Sequence, residues 1–500
     1  MREGTTAPTS LLIRDARLVP VHAEDRAPEH PVDVLVEGGR VAEVGERLQR
    51  RPGTEEHDAA GRWLVPGLWD AHVHLGQWTL SQQRLDTGRL RSVDEAVALV
   101  TATVAEQPGK PVVAWGHRPA TWTTEPTVAA LDAVSGVTPV ILIAGDGHHA
   151  WLNSAAQAAL GIAVREDMVR ENEWYAAYDR LFEITAGDGI SPAAYRATLD
   201  RAAAMGVVGL VDLEFVGGYR AWRDRWGQGC DRLRIRAAVY TEGMEQAVEE
   251  GLRSGDPLVP GDDRLVMGPL KIISDGSINT RTAWCHEPYA VGGHPAQPAG
   301  APNLSGDELT ALLQRAHDHG LEVATHAIGD AAVAQALTAY DATGAKGSIE
   351  HLQLVAHEDV DRLARLGLRA SMQPHHLVDD RDLTEIVWPG RSERCFALRW
   401  LTEAGVAITL GSDAPVSPLD PWLAIDAAVR RTGDDRPAWH GEQALSRQEA
   451  LAASVDGQPM VRPGSRGDLA LVDQDPLDEA AASPTVALTT VAGRVVHRAG

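Results

Sequence analysis

The chain has little of what would tie it to a membrane, a nucleic acid or an oxidising compartment. Only three cysteines occur in 500 residues, Cys230, Cys285 and Cys395, with no C-x-x-C spacing. Neither a disulfide framework nor a thiolate zinc site is indicated, and a reducing location is expected. No stretch approaches the ~18 uninterrupted apolar residues of a membrane span, and the first ten residues lack the basic start and apolar run of a secretory signal. Basic residues are in deficit: 46 Lys and Arg face 70 Asp and Glu, a formal charge of −24. That balance opposes binding to nucleic acid or to anionic membrane surfaces. A cytoplasmic protein acting on a small molecule is expected, with a homodimer left open.

What is present suggests one large domain and a smaller one. Residues 11–46 hold two β-rich runs, Leu11–Val21 and Val32–Val44, the second folding back at Gly38-Gly39, where glycines supply the positive φ of a tight turn. After the Pro/Gly-rich 462–467, Asp468–Val472 and Thr490–His497 read as short strands. We expect the two ends, residues 1–64 and 462–500, to form one small β-sandwich. Between them, over 65–461, apolar β-branched runs alternate with helical patterns. Eight strands are predicted: Leu68–His74, Val207–Asp212, Ile235–Tyr240, Met267–Ile273, Glu322–His326, Ser348–His351, Arg369–Gln373 and Ala407–Asp413. Ser92 with Glu95 reads as a capping box, and Ser191 before Pro192 as another helix start. Eight strands with intervening helices close most economically into an α/β fold of the (β/α)8 TIM-barrel type, with its chemistry at the strands' C-terminal ends. The stretch 108–190 is longer than any simple connection and is expected to be an insertion over the mouth.

The strand ends carry the chemistry. Side chains alternate along a strand, so His72 and His74 share a face and can reach one metal ion. Lys271, His326, His351 and Asp413 close or nearly close four further strands, and six potential ligands at five strand ends fit a metal centre far better than chance. The motifs are Val65-Pro66-Gly67-Leu68-Trp69-Asp70-Ala71-His72-Val73-His74, Gly147-His148 with Asn153-Ser154, Lys271-Ile272-Ile273-Ser274-Asp275-Gly276-Ser277 with Arg281-Thr282-Ala283, His326-Ala327-Ile328-Gly329-Asp330, Glu350-His351, and Gly411-Ser412-Asp413-Ala414-Pro415. As a set they resemble the amidohydrolase superfamily, specifically its amidohydrolase-3 type subgroup of amidases similar to N-substituted formamide deformylases.

That resemblance implies two divalent ions, Zn2+ by expectation. His72 and His74 would bind the more buried ion, His326 and His351 the more exposed one. Lys271 would bridge them as a CO2-derived carbamate, the alternative being a buried cation paired with Asp413. Asp413 would ligate metal and act as general base and acid for a metal-bridging hydroxide cleaving the C–N bond of a small amide or N-formyl/N-acyl amine. His148 is the first candidate for an added catalytic role, since Gly147 permits close approach of the chain. Trp115, His117, His148, Arg281, Gln373 and His375 are the expected substrate contacts, with His149 and His376 nearby. Asp330 is expected to serve the following helix start. Fourteen tryptophans against three phenylalanines, several near the mouth (Trp78, Trp115, Trp122, Trp151, Trp284, Trp388), make an aromatic or extended apolar amide the substrate to test. Two other readings compete. A mononuclear deaminase of the same superfamily would carry a proton-shuttling glutamate at the position of Gly329, and a non-catalytic scaffold relative would have lost ligands.

Overall fold

The computed structural model describes residues 10–82, 84–178, 180–181 and 190–499. Part of the expected insertion, 182–189, lies outside the described residues.

All eight expected barrel strands are present and pair in sequence order as parallel neighbours: Leu68–Val73, Val207–Asp212, Arg234–Tyr240, Asp262–Ile273, Val323–Ala327, Gly347–His351, Arg369–Met372 and Ala407–Leu410. We number these the first to the eighth barrel strands. The fifth and sixth are buried along their whole length. Both faces of these strands are covered, so the polar Thr325, His326, Ser348, Glu350 and His351 are enclosed with the aliphatic side chains, each of the latter contributing roughly 1.5–3 kcal/mol. The sheet closes between its first and last strands through backbone bonds at their C-terminal ends. The Asp413 N–H donates to the His72 carbonyl at 2.7 Å and the His74 N–H to the Ala414 carbonyl at 2.9 Å. Asp70 reinforces the seam, accepting from Ser412 N at 3.0 Å and Ser412 Oγ at 2.5 Å. Helices return the chain between strands, among them Pro192–Ala204, capped by Ser191 with Pro192 in its first turn.

The two chain ends meet in one mixed sheet of eight strands. Ser10–Leu18 and Trp63–Pro66 run parallel, and Trp63–Pro66 pairs antiparallel with Leu469–Val472, Leu64 facing Leu471. Hydrogen bonding joins seven of the strands in a single path, with Glu55–Asp58 branching off Ser10–Leu18, and Leu11, Ile13, Val34, Leu64, Leu471 and Leu488 form its own apolar core.

Between the first and second barrel strands stands a five-stranded layer, ordered Val169–Arg170, His149–Leu152, Val140–Ala144, Val112–His117 and Leu85–Asp86. It begins upstream of the expected boundary at 108. The helix Val93–Glu106 belongs to it, packing Val93, Ala96 and Val100 against Val112, Leu131 and Val140. Its amphipathic face predicts burial but not the partner. The capping box at its start is half formed: Ser92 accepts from Glu95 N, while Glu95 Oε2 takes the Arg91 N–H at 2.6 Å. Among the described residues no helix is long and apolar enough to cross a membrane, and all three cysteines are buried and free.

Candidate metal centre

Alternation on the first barrel strand puts His72 and His74 on the barrel side, where the ends of the fourth, fifth, sixth and eighth strands converge. Ligand atoms of His72, His74 and Asp413 lie within 4.8 Å of one another, and so do those of His351, His376 and Asp413. Asp413 is shared: its Oδ1 is 3.3 Å from His74 Nε2 and 3.5 Å from His72 Nε2, and its Oδ2 is 3.9 Å from His376 Nε2. Ring centroids run from His72 to His351 at 4.9 Å and from His351 to His326 at 4.6 Å. Lys271 Nζ stands 3.4 Å from His72 Nε2. His351 and Asp413 hold φ of +69° and +56°. Non-glycine residues in that region cost about 1–3 kcal/mol each and mark positions that the surrounding structure enforces.

Carboxylates behind the ring fix its orientation. Glu350 Oε2 sits 2.6 Å from His72 Nδ1. Because a carboxylate only accepts, Nδ1 carries the proton and the lone pair is left on Nε2, toward Asp413 and Lys271. Asp275 Oδ1 lies 3.0 Å from His326 Nδ1 and accepts the Ile328 N–H, while its Oδ2 accepts from Gly329 N and Trp284 N. Burial, with the Lys271 charge adding to it, pushes His72 down to about 4, so its imidazole is neutral at pH 7. Burial also pushes Lys271 below its ordinary value, against the pull of Glu350 and Asp413, which favours the neutral amine. Asp413 is held well below the usual carboxylate range: burial raises it, but His72, His74 and His351 outweigh burial.

These side chains fit divalent cations. His326 Nε2 and His376 Nε2 are buried without a hydrogen-bond partner, and lone-pair nitrogens beside a shared carboxylate are the donor set such ions take.

The insertion supplies the facing wall. His148 Nδ1 is 3.0 Å from Glu171 Oε2 and 2.7 Å from Tyr175 Oη, and its ring lies 6.1 Å from that of His326. Glu171 Oε1 in turn accepts from Thr280 at 2.5 Å and Thr282 at 2.8 Å, so one carboxylate ties the insertion to the loop after the fourth barrel strand. Burial lowers His148, but Glu171 and Asp146 more than offset it and the imidazolium persists to about 9. A cavity of about 280 Å³ opens outward from Asp413 and His351 between His117, Asp146, Trp122 and Asp379, and a smaller one of about 50 Å³ lies directly over His72, His74, Lys271 and His326.

The six expected ligands therefore converge, although His326 stands outside both tight groups and His376 stands inside one. Trp115 borders the inner cavity, and His117 and His148 border the outer one. The remaining expected contacts do not line either cavity. Arg281 turns to the Asn279 carbonyl at 2.7 Å, Gln373 to the Ser371 carbonyl at 3.1 Å, and His375 Nδ1 to Ser417 Oγ at 3.2 Å. Of the singled-out tryptophans, Trp151 and Trp388 are fully buried and only Trp115 and Trp122 reach the cavities. Gly147 is required by its φ of +74°, since a Cβ there would meet nothing nearer than 3.5 Å. Asp330 opens the helix Asp330–Thr343 but spends its oxygens on His286 N and Arg394. Glu171, Tyr175, Asp70, Asp275 and Glu350 were not singled out from the sequence, although the last three stand inside the quoted motifs.

Comparison with known proteins follows the same outline. A profile described as the amidohydrolase family matches residues 55–497. The chain is 26% identical to the protein LONG AFTER FAR-RED 3 of Arabidopsis thaliana, covering 93% of this chain and 88% of that one. It is 24% identical to an N-substituted formamide deformylase of Arthrobacter pascens, covering 89% and 90%. Among solved structures, an uncharacterised metal-dependent hydrolase from Pyrococcus horikoshii superposes with a TM-score of 0.75 at 23% identity, over 94% of this chain and 98% of that one.

Proposed function

The chain belongs to the amidohydrolase family, and from that premise we propose that it is a metal-dependent hydrolase cleaving the C–N bond of a small N-acyl or N-formyl amine. The observation that carries this reading is the buried ring of His72, His74, His351, His376 and Asp413 around one shared carboxylate, with ligand atoms within 4.8 Å in two groups.

In this proposal His72 and His74 hold one divalent ion, His326 and His351 a second, and Asp413 contributes to the site. Zinc suits these nitrogen and oxygen donors. Lys271, its neutral amine adding to CO2 with loss of one proton, would supply carbamate oxygens as further ligands. Bound divalent ions lower the pKa of water towards neutrality and polarise a carbonyl. Asp413, ionised and adjacent, takes the proton from the attacking water and returns it to the leaving nitrogen. His148, held cationic by Glu171, donates to the oxyanion that develops on the carbonyl. The insertion and the barrel mouth enclose the substrate, and we treat residues 65–461 as the hydrolase unit, with 1–64 and 462–500 forming the accessory unit. The deaminase alternative is disfavoured at Gly329: a Cβ there would lie 2.0 Å from the Trp284 carbonyl oxygen, so no side chain fits at that position.

The test is metal analysis of the purified chain beside a panel of N-formyl and N-acyl amines. Near two ions per chain with amine release supports the reading. One ion with ammonia released from an amino-heterocycle would replace it with the deaminase, and no metal with no turnover would replace it with a scaffold.

A further inference from the structure

The outer cavity carries unpaired acceptors where a substrate's distal part would lie. His117 is fully buried on the strand Val112–His117 and borders the cavity. Its Nδ1 lies 3.1 Å from the Ile143 carbonyl, an acceptor only, so Nδ1 holds the proton and Nε2 presents a lone pair. Burial, with His149 beside it, pushes His117 down to about 3 and keeps it neutral at pH 7. Nε2 has no partner among the described residues. On the same wall, Asp146 Oδ1 accepts the His148 N–H at 3.1 Å and lies 3.3 Å from His149 Nδ1, whereas Oδ2 is buried and unpartnered. An unmade bond at a buried acceptor is costly, because the atom has given up water without a replacement, so two in one wall mark a place built to receive donors.

The two arginines that border this cavity are already held. Arg118 is held by Asp379 at 2.7 Å and by the Val416 carbonyl at 3.1 Å, and Arg91 by the carbonyls of Gly88 and Leu90. Trp122, its ring 5.9 Å from that of His117, offers an apolar face alongside.

We propose that this wall is a recognition subsite for an N–H donor, so that the preferred substrate carries an amino group, on an aromatic or similarly flat spacer, beyond the bond that is cleaved. His117 Nε2 accepts from that group and Asp146 Oδ2 balances its charge. A neutral acceptor beside a carboxylate selects an ammonium or amino group over an isosteric alkyl, because the alkyl leaves both acceptors desolvated.

This inference rests on the hydrolase reading, and a binding measurement keeps the two separable. 1,3-Bis(aminomethyl)benzene and 3-ethylbenzylamine share a ring and one aminomethyl group and differ only in the second substituent. Calorimetry on the metal-loaded chain should show the diamine binding at least about ten-fold tighter, the scale of one satisfied polar contact. His117→Leu and Asp146→Asn should each reduce that preference below about three-fold with metal retained, and His117→Gln, which returns an acceptor oxygen, should recover part of it. Equal binding of both amines by the wild type, or a preference untouched by both substitutions, overturns the subsite. A preference in a chain that hydrolyses no amide supports the subsite and removes the hydrolase reading, whereas amide turnover with equal binding does the reverse.

Discussion

Two histidines of the barrel mouth, His72 at a strand end and His148 in the insertion, are held in opposite electrical states. In the strand-end ring, burial and the Lys271 charge leave His72 neutral with its lone pair turned inward. In the insertion, His148 has the same side chain in a partly buried setting, yet it stays cationic because Glu171 and Asp146 surround it. The difference teaches that imidazole chemistry here is set by the second partner of each ring. A ring backed by a carboxylate and fronted by ligand positions offers electrons, and one enclosed by carboxylates offers a proton.

Substitutions can break that contrast from either side. Asp413→Asn should have the largest effect, lowering kcat by about 10³-fold while the ions remain by metal analysis, since the amide keeps an oxygen but lacks a basic site. Unchanged kcat would remove Asp413 from proton transfer. Lys271→Ala should cost at least one ion and about 100-fold in kcat, with acetate, propionate or formate restoring part of both. Full occupancy and activity without added acid would sink the bridging assignment.

Glu171→Gln should be milder, about 10- to 100-fold, and it should move a pH limb. His148 is raised above its ordinary value, so the cation is present at low pH and lost as pH climbs through about 9. Stability linked to the pair is accordingly complete below the ordinary histidine range, near ~6.5, and declines up to about 9. The alkaline limb of kcat/KM should begin near pH 9 in the wild type and shift to lower pH in Glu171→Gln. An unmoved limb would show that His148 is not the group responsible. The smallest effect belongs to His375→Ala, whose ring faces Ser417. Activity should stay within about two-fold, against about ten-fold lost in His376→Ala, with a circular dichroism melt to confirm folding.

The ring was legible in the sequence because strand periodicity is rigid: apolar runs located all eight strands, and ligands at their ends converge in any closed barrel. The motif resemblance is borne out by the family match over residues 55–497. The insertion wall was less legible. Glu171 lies 23 residues beyond His148 in a segment without a regular period, and only the fold returns it to that ring. His375 and His376 sit in a single 3-10 turn, Pro374–His376, where each residue advances about 120°. Spacing could not decide which of them faces Asp413; both were named as pocket candidates, with His375 as the expected substrate contact. The helix Val93–Glu106 failed differently: its buried stripe was plain, but a stripe does not name the core it joins.

The seam of the barrel carries one more consequence. The last strand is fastened to the first by the backbone N–H groups of Asp413 and His74, reaching the carbonyls of His72 and Ala414 respectively. The residues proposed to grip the ions are thus also the rivets of the hoop. Any event that springs the hoop there separates His72 from Asp413, so ion release would report the opening of the cylinder itself, and an ion bound across the joint would act as its clamp.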